Sequence, residues 1–133
     1  MIMIKRVYDL YAKEDGARFL VERLWPRGIK KEALQMDAWC KDLAPSGDLR
    51  RWFRHDPAKW EEFQKRYRDE LGRNPAAFIP LFEASRRGNI ALLYSAHDAE
   101  HNSALVLKSY LEEQLLSSPR KTKCWNRKRG SRS

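Results

Sequence analysis

The sequence predicts a small α/β domain: a short, mostly parallel or mixed sheet of about three strands, flanked by four to five helices in two or three layers. The 133 residues fit a single hydrophobic core, and a hydrophobic content of 42% is ample to fill it. Along the chain, the patterns follow the order strand, strand, several helices, strand and helix. Strands and helices mixed in this way are typical of α/β domains.

Three strands are predicted. Residues 3–8 and 17–24 are rich in β-branched and aromatic side chains, with a turn signal at 13–16 between them. Residues 89–95 form a nearly continuous apolar run, which indicates a strand buried on both faces. The long helical connection before this run predicts that it lies parallel to the second strand. The first loop is too short for a helical crossover, so the direction of the first strand stays open.

The first two helices are predicted from apolar spacing and from a capping signal. Within residues 31–43, four side chains fall on one helical face: Met36, Trp39, Cys40 and Leu43. Ser46 is suited to cap the short helix that follows, because its hydroxyl can accept a hydrogen bond from a free backbone N–H group.

Two pairs of residues give stronger signals for the start of a helix. Asp56-Pro57 begins a helix that Gly72 ends. Asn74-Pro75 begins another, in which Pro80 must either kink the helix or shift its start. The last helix is predicted over residues 98–116.

The net charge of +9 belongs to the C-terminal segment. Residues 118–133 hold seven of the 27 basic residues and none of the 18 acidic residues, which leaves residues 1–117 close to neutral. We therefore predict one domain over residues 1–117 and a basic, disordered tail over residues 118–133. Such a tail can bind nucleic acid weakly and without sequence preference.

The composition disfavours several classes of protein. No apolar run approaches the roughly 20 residues of a membrane span, and the N-terminus lacks the layout of a signal peptide. Two cysteines, Cys40 and Cys124, form neither a disulfide framework nor a metal-binding quartet. We predict a cytoplasmic protein with no membrane contact, no metal and no cofactor.

A candidate ligand site follows from the predicted sheet, since ligands of open α/β sheets gather at the carboxyl ends of parallel strands. Residues 22–28 and 94–102 should emerge at the same edge. Arginines there suit bidentate contacts with phosphate or carboxylate, and the start of the last helix favours anions. We predict that a small anionic ligand is bound by five residues: Arg23, Trp25, Arg27, Tyr94 and Asn102. Alternatively, the arginines pair with acids and the tryptophan belongs to the core.

Asp98 and His101 are the candidates for acid–base catalysis at this edge. Asp98 can instead serve only as the cap of the last helix. His97 and His101 have the spacing of a zinc-binding helix, but Asp98 replaces the usual Glu and no third ligand is evident, which argues against zinc. Ser95 lacks the glycine turn of a hydrolase nucleophile.

Several segments carry a resemblance to a known family. They are residues 20–28 (LVERLWPRG), 43–46 (LAPS), 49–53 (LRRWF), 55–57 (HDP) and 93–96 (LYSA), together with the segment that contains Trp60, Phe63 and Tyr67. In this combination the chain resembles the YeaO-like proteins, a bacterial family classified as domain of unknown function 488. The resemblance covers roughly residues 3–115. It implies a small cytoplasmic α/β protein with no settled activity.

Two functions are compatible with these observations. The first is an enzyme or ligand-binding domain for a small anionic molecule, nucleotide-like or phosphate-like, at the carboxyl edge of the sheet. The alternative is a nucleic-acid-associated or regulatory binding module that uses the basic tail. The near-neutral charge of residues 1–117 disfavours the alternative, while the lack of a recognisable nucleophile or metal set leaves enzymatic activity undecided.

Overall fold

The computed structural model describes residues 1–9, 11–54, 56–96 and 100–117. Within these residues, four parallel strands form one sheet in the order β1–β4–β2–β3. The strands are β1 (Ile2–Arg6), β2 (Ala17–Leu20), β3 (Ala38–Trp39) and β4 (Ile90–Tyr94). The predicted α/β class is confirmed.

Strand β4 occupies the centre of the sheet, between β1 and β2. Leu92 of β4 is in register with Ile4 of β1 and with Phe19 of β2. All five residues of β4 are buried, as the apolar run at 89–95 predicts for a strand covered on both faces.

Strand β1 is parallel to β4 and therefore also to β2. Residues 7–16 must consequently return from the carboxyl end of β1 to the start of β2. The described residues of this return contain no α-helix, and they include a 3-10 turn at Lys13–Asp15. Gly16 ends it with a φ of 68°, a backbone conformation that favours glycine. The direction that the sequence left open is thus settled as parallel.

The described part of the chain also contains four α-helices: α1 (Gly47–Phe53), α2 (Trp60–Gly72), α3 (Pro75–Arg87) and α4 (Ser103–Ser117). All four contribute to one hydrophobic core on one face of the sheet. The other face is covered by irregular chain between β2 and β3, which contributes Trp25, Ile29, Leu34 and Met36. No helix among the described residues is long and apolar enough to cross a bilayer.

The predicted helix starts are confirmed before α1, α2 and α3. The Ser46 hydroxyl accepts a hydrogen bond from the Leu49 N–H group at 3.1 Å. The Asp56 carboxylate accepts one from Ala58 N–H at 3.0 Å, and Pro57 opens a 3-10 turn that leads into α2. Helix α3 begins at Pro75 and continues through Pro80.

Helix α4 begins at Ser103, five residues later than predicted. Its cap is Asn102, whose Oδ1 accepts a hydrogen bond from the Leu105 N–H group at 3.0 Å. The alternative interpretation of Asp98 as the cap of this helix is therefore wrong. Asp98 itself, together with His97 and His55, lies outside the described residues.

The predicted helix over residues 31–43 is wrong. This segment contains a 3-10 turn (Lys31–Ala33), strand β3 and a second 3-10 turn (Lys41–Leu43). Its backbone pairs with β2 instead of with itself, since the N–H group of Asp37 donates to the Arg18 carbonyl and that of Cys40 to the Leu20 carbonyl. The apolar residues of this segment divide between the two faces of the sheet and do not share one face. The sheet consequently gains a fourth strand.

Candidate functional site

A cavity of about 390 Å³ lies beyond the carboxyl ends of β2 and β4, beside α1 and the start of α4. We call it the edge cavity. Polar side chains from both strand ends line it, including Glu22, Arg23 and Ser95. Its apolar wall includes Phe53 of α1 and Phe63 of α2, which stack with ring centroids 4.3 Å apart.

Glu22 is held from two sides. Strand β2 ends at Leu20, but Val21 still donates a backbone hydrogen bond to Leu93 at 3.2 Å, which keeps the following residue beside β4. The Glu22 carbonyl accepts a hydrogen bond from the Trp39 indole at 2.6 Å, and its Oε1 accepts one from the Ser95 hydroxyl at 2.7 Å. Backbone and side chain are therefore both fixed at the cavity wall.

Arg23 is anchored to the loop before α1. Its Nε donates to the Pro45 carbonyl at 3.1 Å. The next residue of that loop, Ser46, donates from its N–H group and its hydroxyl to the two Glu70 carboxylate oxygens at 2.8 and 2.6 Å. Since Ser46 also caps α1, these hydrogen bonds tie the start of α1 to α2. The terminal nitrogens of Arg23 have no hydrogen-bond partner within the described part of the chain.

Tyr67 supports the same loop from within the core. Its side chain is buried, and its hydroxyl donates to the Leu43 carbonyl. Burial raises the pKa of Tyr67 far above its ordinary range, and the negative charges of Glu70 and Glu22 add to this effect. The hydroxyl therefore stays protonated and acts as a structural donor.

We expect Tyr67→Phe to lower the free energy of unfolding by about 1–3 kcal/mol, because the buried Leu43 carbonyl loses its donor. Tyr110→Phe is a suitable control, since the Tyr110 hydroxyl makes no hydrogen bond to any described residue. Urea unfolding of both variants measures the difference. Equal stability of the two variants would contradict the structural role of the Tyr67 hydroxyl.

Another part of the cavity wall is formed by the chain that follows β4. Arg6, at the end of β1, donates from Nε to the Ala96 carbonyl at 3.1 Å and from Nη2 to the Ser95 carbonyl at 3.2 Å. Further along, the His101 ring lies edge-on to Trp60 with centroids 5.3 Å apart. Both His101 and the helix cap Asn102 line the cavity.

Helix α1 contributes two further cations, Arg50 and Arg51. Arg51 forms an exposed ion pair with Asp48. Arg50 is exposed and forms no ion pair with a described residue. Together with Arg23, these residues place three guanidinium groups around one cavity.

The structure brings together three of the residues predicted for the site: Arg23, His101 and Asn102 all line the edge cavity. Three others do not line it. Trp25 donates its indole N–H to the Ile29 carbonyl at 2.6 Å and packs edge-on against Trp39. Arg27 is exposed, and Tyr94 is buried in the core. Ligand binding by Trp25, Arg27 and Tyr94 stays a prediction, as does catalysis by His101.

Comparison with known proteins shows to which family the chain belongs. The profile of the family described as "Inactive DUF488-N3 subclade" matches residues 1–126. The chain belongs to this family. The match confirms the resemblance found in the sequence, and it extends nine residues into the segment predicted to be a tail.

Relatives of the chain carry the name uncharacterised protein and come from bacteria. The chain is 41% identical to the uncharacterised protein YeaO of Escherichia coli over 110 residues, which cover 83% of this chain and 96% of that protein. It is 36% identical to the uncharacterised proteins Rv3073c of Mycobacterium tuberculosis and Mb3100c of Mycobacterium bovis, over 83% of this chain and 92% of each relative. No solved structure matches the chain.

The sequence did not identify Arg50 and Arg51 of this DUF488-N3 chain as site residues. They stand in the segment Leu49–Phe53, which contributed to the family resemblance, and that is the one signal that could have found them. Helical spacing places them on α1 but does not say which end of the sheet α1 approaches. The contacts of Ser46 with Glu70 decide this.

Proposed function

We propose that this chain is a binding domain for a small anionic molecule, such as a phosphate monoester, in the edge cavity. The observation that carries the proposal is the set of three arginines around one cavity, with the terminal nitrogens of Arg23 available for bidentate contacts. The arginines Arg50 and Arg51 would add charge at the rim.

The start of α4 also favours a negatively charged ligand. The first N–H groups of a helix and its dipole favour an anion, and this helix starts at the cavity with Asn102 and Ser103 in its wall. The apolar wall of Phe53 and Phe63 would lower the local dielectric constant, which strengthens contacts between a guanidinium group and an anion. A volume of about 390 Å³ suits a small metabolite.

Binding without turnover is the form of this proposal that the comparisons favour, because the subclade is described as inactive. The described residues of the cavity wall offer no activated nucleophile. Ser95 donates its hydroxyl proton to the Glu22 carboxylate, without a histidine between them. Cys40 lies outside the cavity wall, and burial, with a contribution from the charge of Asp42, raises the pKa of its thiol to about 11, so it is not a thiolate near neutral pH. His101 and Asp98 remain the candidates for an acid–base pair if turnover is found.

A titration of the full-length, isotope-labelled protein with ethyl phosphate tests the proposal. We expect chemical-shift changes at the amides of Glu22, Arg23 and residues 100–104. Arg23→Ala should weaken binding about tenfold or more, because a charge-assisted hydrogen bond contributes roughly 1.5–3 kcal/mol.

Arg73→Ala provides the matched control, since it removes the same charge from an exposed residue outside the cavity that pairs with Asp69. It should leave the affinity within about twofold of the wild-type value. Equal weakening by the two substitutions would show that the anion is attracted by net charge alone. Shift changes confined to residues 118–133 would instead favour the alternative function, a polyanion-binding tail.

A further inference from the structure

We infer that the ligand of the edge cavity is the phosphorylated end of a single nucleic-acid strand, with the terminal phosphate at Arg23 and the following phosphodiesters along α1. This inference rests on the proposed function and deepens it. It starts from a feature that a small anion in the cavity leaves unexplained: the basic side chains continue along α1 beyond the cavity wall. Residues 47–54 hold three arginines and one aspartate, a local formal charge of +2, although residues 1–117 as a whole are close to neutral.

Arg54 is the strongest sign that this local charge has a function. It directly follows α1 with a φ of 50°, and it is the one non-glycine residue with a positive φ in the described part of the chain. Glycine and asparagine adopt this conformation at lower cost, and strained residues of this kind cluster at binding and active sites. The Arg54 side chain is exposed and forms no ion pair with a described residue. Stability of the fold therefore does not account for an arginine at this position.

Arg50 and Arg54 mark a path that leads out of the cavity. Arg50 lines the cavity, and the Arg54 N–H group donates to the Arg50 carbonyl at 3.0 Å, which places Arg54 one helical turn further along the chain. Arg54 does not belong to the cavity lining. A small ligand has most of its surface inside its cavity and would not reach Arg54. A strand whose end enters the cavity and which leaves past α1 would contact both arginines.

A nucleic-acid strand has the chemistry that these groups recognise. Its terminal phosphate is a monoester, which the two terminal nitrogens of Arg23 can bind in a bidentate contact. Each following phosphodiester carries one negative charge that an exposed arginine can neutralise. The seven basic residues of 118–133 would attract the same polyanion without sequence preference. The strand is thus recognised by its end and its backbone, and not by its bases.

We would measure the affinity of the full-length protein, by calorimetry, for oligothymidylates of about eight nucleotides with a phosphate at the 5′ end, at the 3′ end or at neither end. We expect one of the phosphorylated strands to bind about tenfold more tightly than the unphosphorylated strand, the gain of one charge-assisted contact. Residues 118–133 contribute nearly equally to all three affinities. Arg23→Ala should abolish the preference, whereas Arg73→Ala, which removes the same charge outside the cavity, should retain it.

Arg54→Asn tests the path along α1. Asparagine tolerates the left-handed backbone, so this variant should be at least as stable as the wild type. We expect it to weaken binding of the preferred strand about fivefold at about 0.1 M salt and to reduce the log–log salt slope by about 0.7, the value for one phosphate contact with a single strand. Its affinity for ethyl phosphate should not change. Arg54→Lys should keep most of the affinity for the strand, and Arg73→Asn should leave both affinities within about twofold.

The outcomes separate this inference from the proposed function. If neither ethyl phosphate nor any strand shifted the amides of Glu22, Arg23 and residues 100–104, both would be overturned. Binding of ethyl phosphate at the cavity without a preference for either phosphorylated strand would overturn the nucleic-acid end and leave the anion site standing. A loss of affinity for the strand in Arg54→Asn no larger than that in Arg73→Asn would overturn the path along α1.

Discussion

Asp15→Ala is expected to lower the free energy of unfolding by about 3–5 kcal/mol, the cost of leaving the buried Arg18 guanidinium group without its counter-charge. Asp15 and Arg18 are only 2% and 3% exposed. The Asp15 carboxylate accepts hydrogen bonds from Lys5 Nζ at 3.0 and 3.1 Å, and its Oδ2 lies 3.6 Å from Arg18 Nε. One carboxylate thus faces two cations on the face of the sheet opposite the described α-helices.

Asp15, Lys5 and Arg18 form a charged cluster, and Arg18 makes its stability sensitive to the loss of Asp15. Its buried Nε has no hydrogen-bond partner in the described part of the structure, and its guanidinium group lies over the Tyr11 ring at 5.2 Å. In the double variant Asp15→Ala/Arg18→Met, the loss should be clearly smaller than in Asp15→Ala, because one of the cations is gone as well.

Asp48→Ala is the matched control, since its ion pair with Arg51 is exposed and such pairs contribute little. Urea unfolding measures all three variants. A loss in Asp15→Ala no larger than that in Asp48→Ala would show that the cluster does not stabilise the fold.

The same carboxylate predicts a dependence of stability on pH. Burial alone would raise the pKa of Asp15, but hydrogen bonds from Lys5 and Ala12 and the charges of Lys5 and Arg18 together hold it below its ordinary value of 3.8. Its contribution to stability is therefore present above that value and is lost as the pH falls through the lower pKa of the folded state. The stability difference between the wild type and Asp15→Ala should shrink below about pH 4. A difference that stays constant down to pH 2 would contradict this linkage.

Gly16→Ala is expected to destabilise the protein by on the order of 3 kcal/mol, from backbone strain and overpacking together. The φ of 68° is unfavourable for a residue with a Cβ atom, and that atom would lie 1.9 Å from the Asn89 carbonyl oxygen. The same oxygen accepts the hydrogen bond from the Ala17 N–H group at 3.2 Å. Relief of the clash would therefore disturb the pairing of β2 with the start of β4.

Alanine substitutions at two other glycines distinguish backbone strain from overpacking as causes of the lost stability. Gly28 has a φ of 77°, but a Cβ atom at this position would have no described atom within 4 Å, so Gly28→Ala should show only the strain, about 1–2 kcal/mol. Gly88 has neither a left-handed φ nor a close neighbour among the described residues, and Gly88→Ala should be almost neutral. Thermal or urea unfolding ranks the stabilities of the three variants. If Gly16→Ala destabilised the protein no more than Gly28→Ala, the close approach of Gly16 to Asn89 would be contradicted.

The amino-acid sequence by itself determined the elements whose signals are local. The burial of Ile90–Tyr94 follows from one apolar run, and the starts of α1, α2 and α3 follow from Ser46, Asp56-Pro57 and Asn74-Pro75. Caps and proline act within about one helical turn. Such signals therefore need no knowledge of the rest of the chain. The edge that holds Arg23, His101 and Asn102 was also predicted, because parallel strands bring their carboxyl ends together.

Tertiary structure alone decided the features that depend on distant partners. Residues 31–43 have helical spacing, yet Asp37 and Cys40 donate to the backbone of β2, because an available strand edge outweighs a weak local preference. The contact of Glu22 with Ser95 joins residues 73 positions apart. The approach of Arg50 and Arg51 to the cavity depends on the packing of α1 against α2. No periodicity in the sequence predicts such contacts, since they form only when the whole core forms.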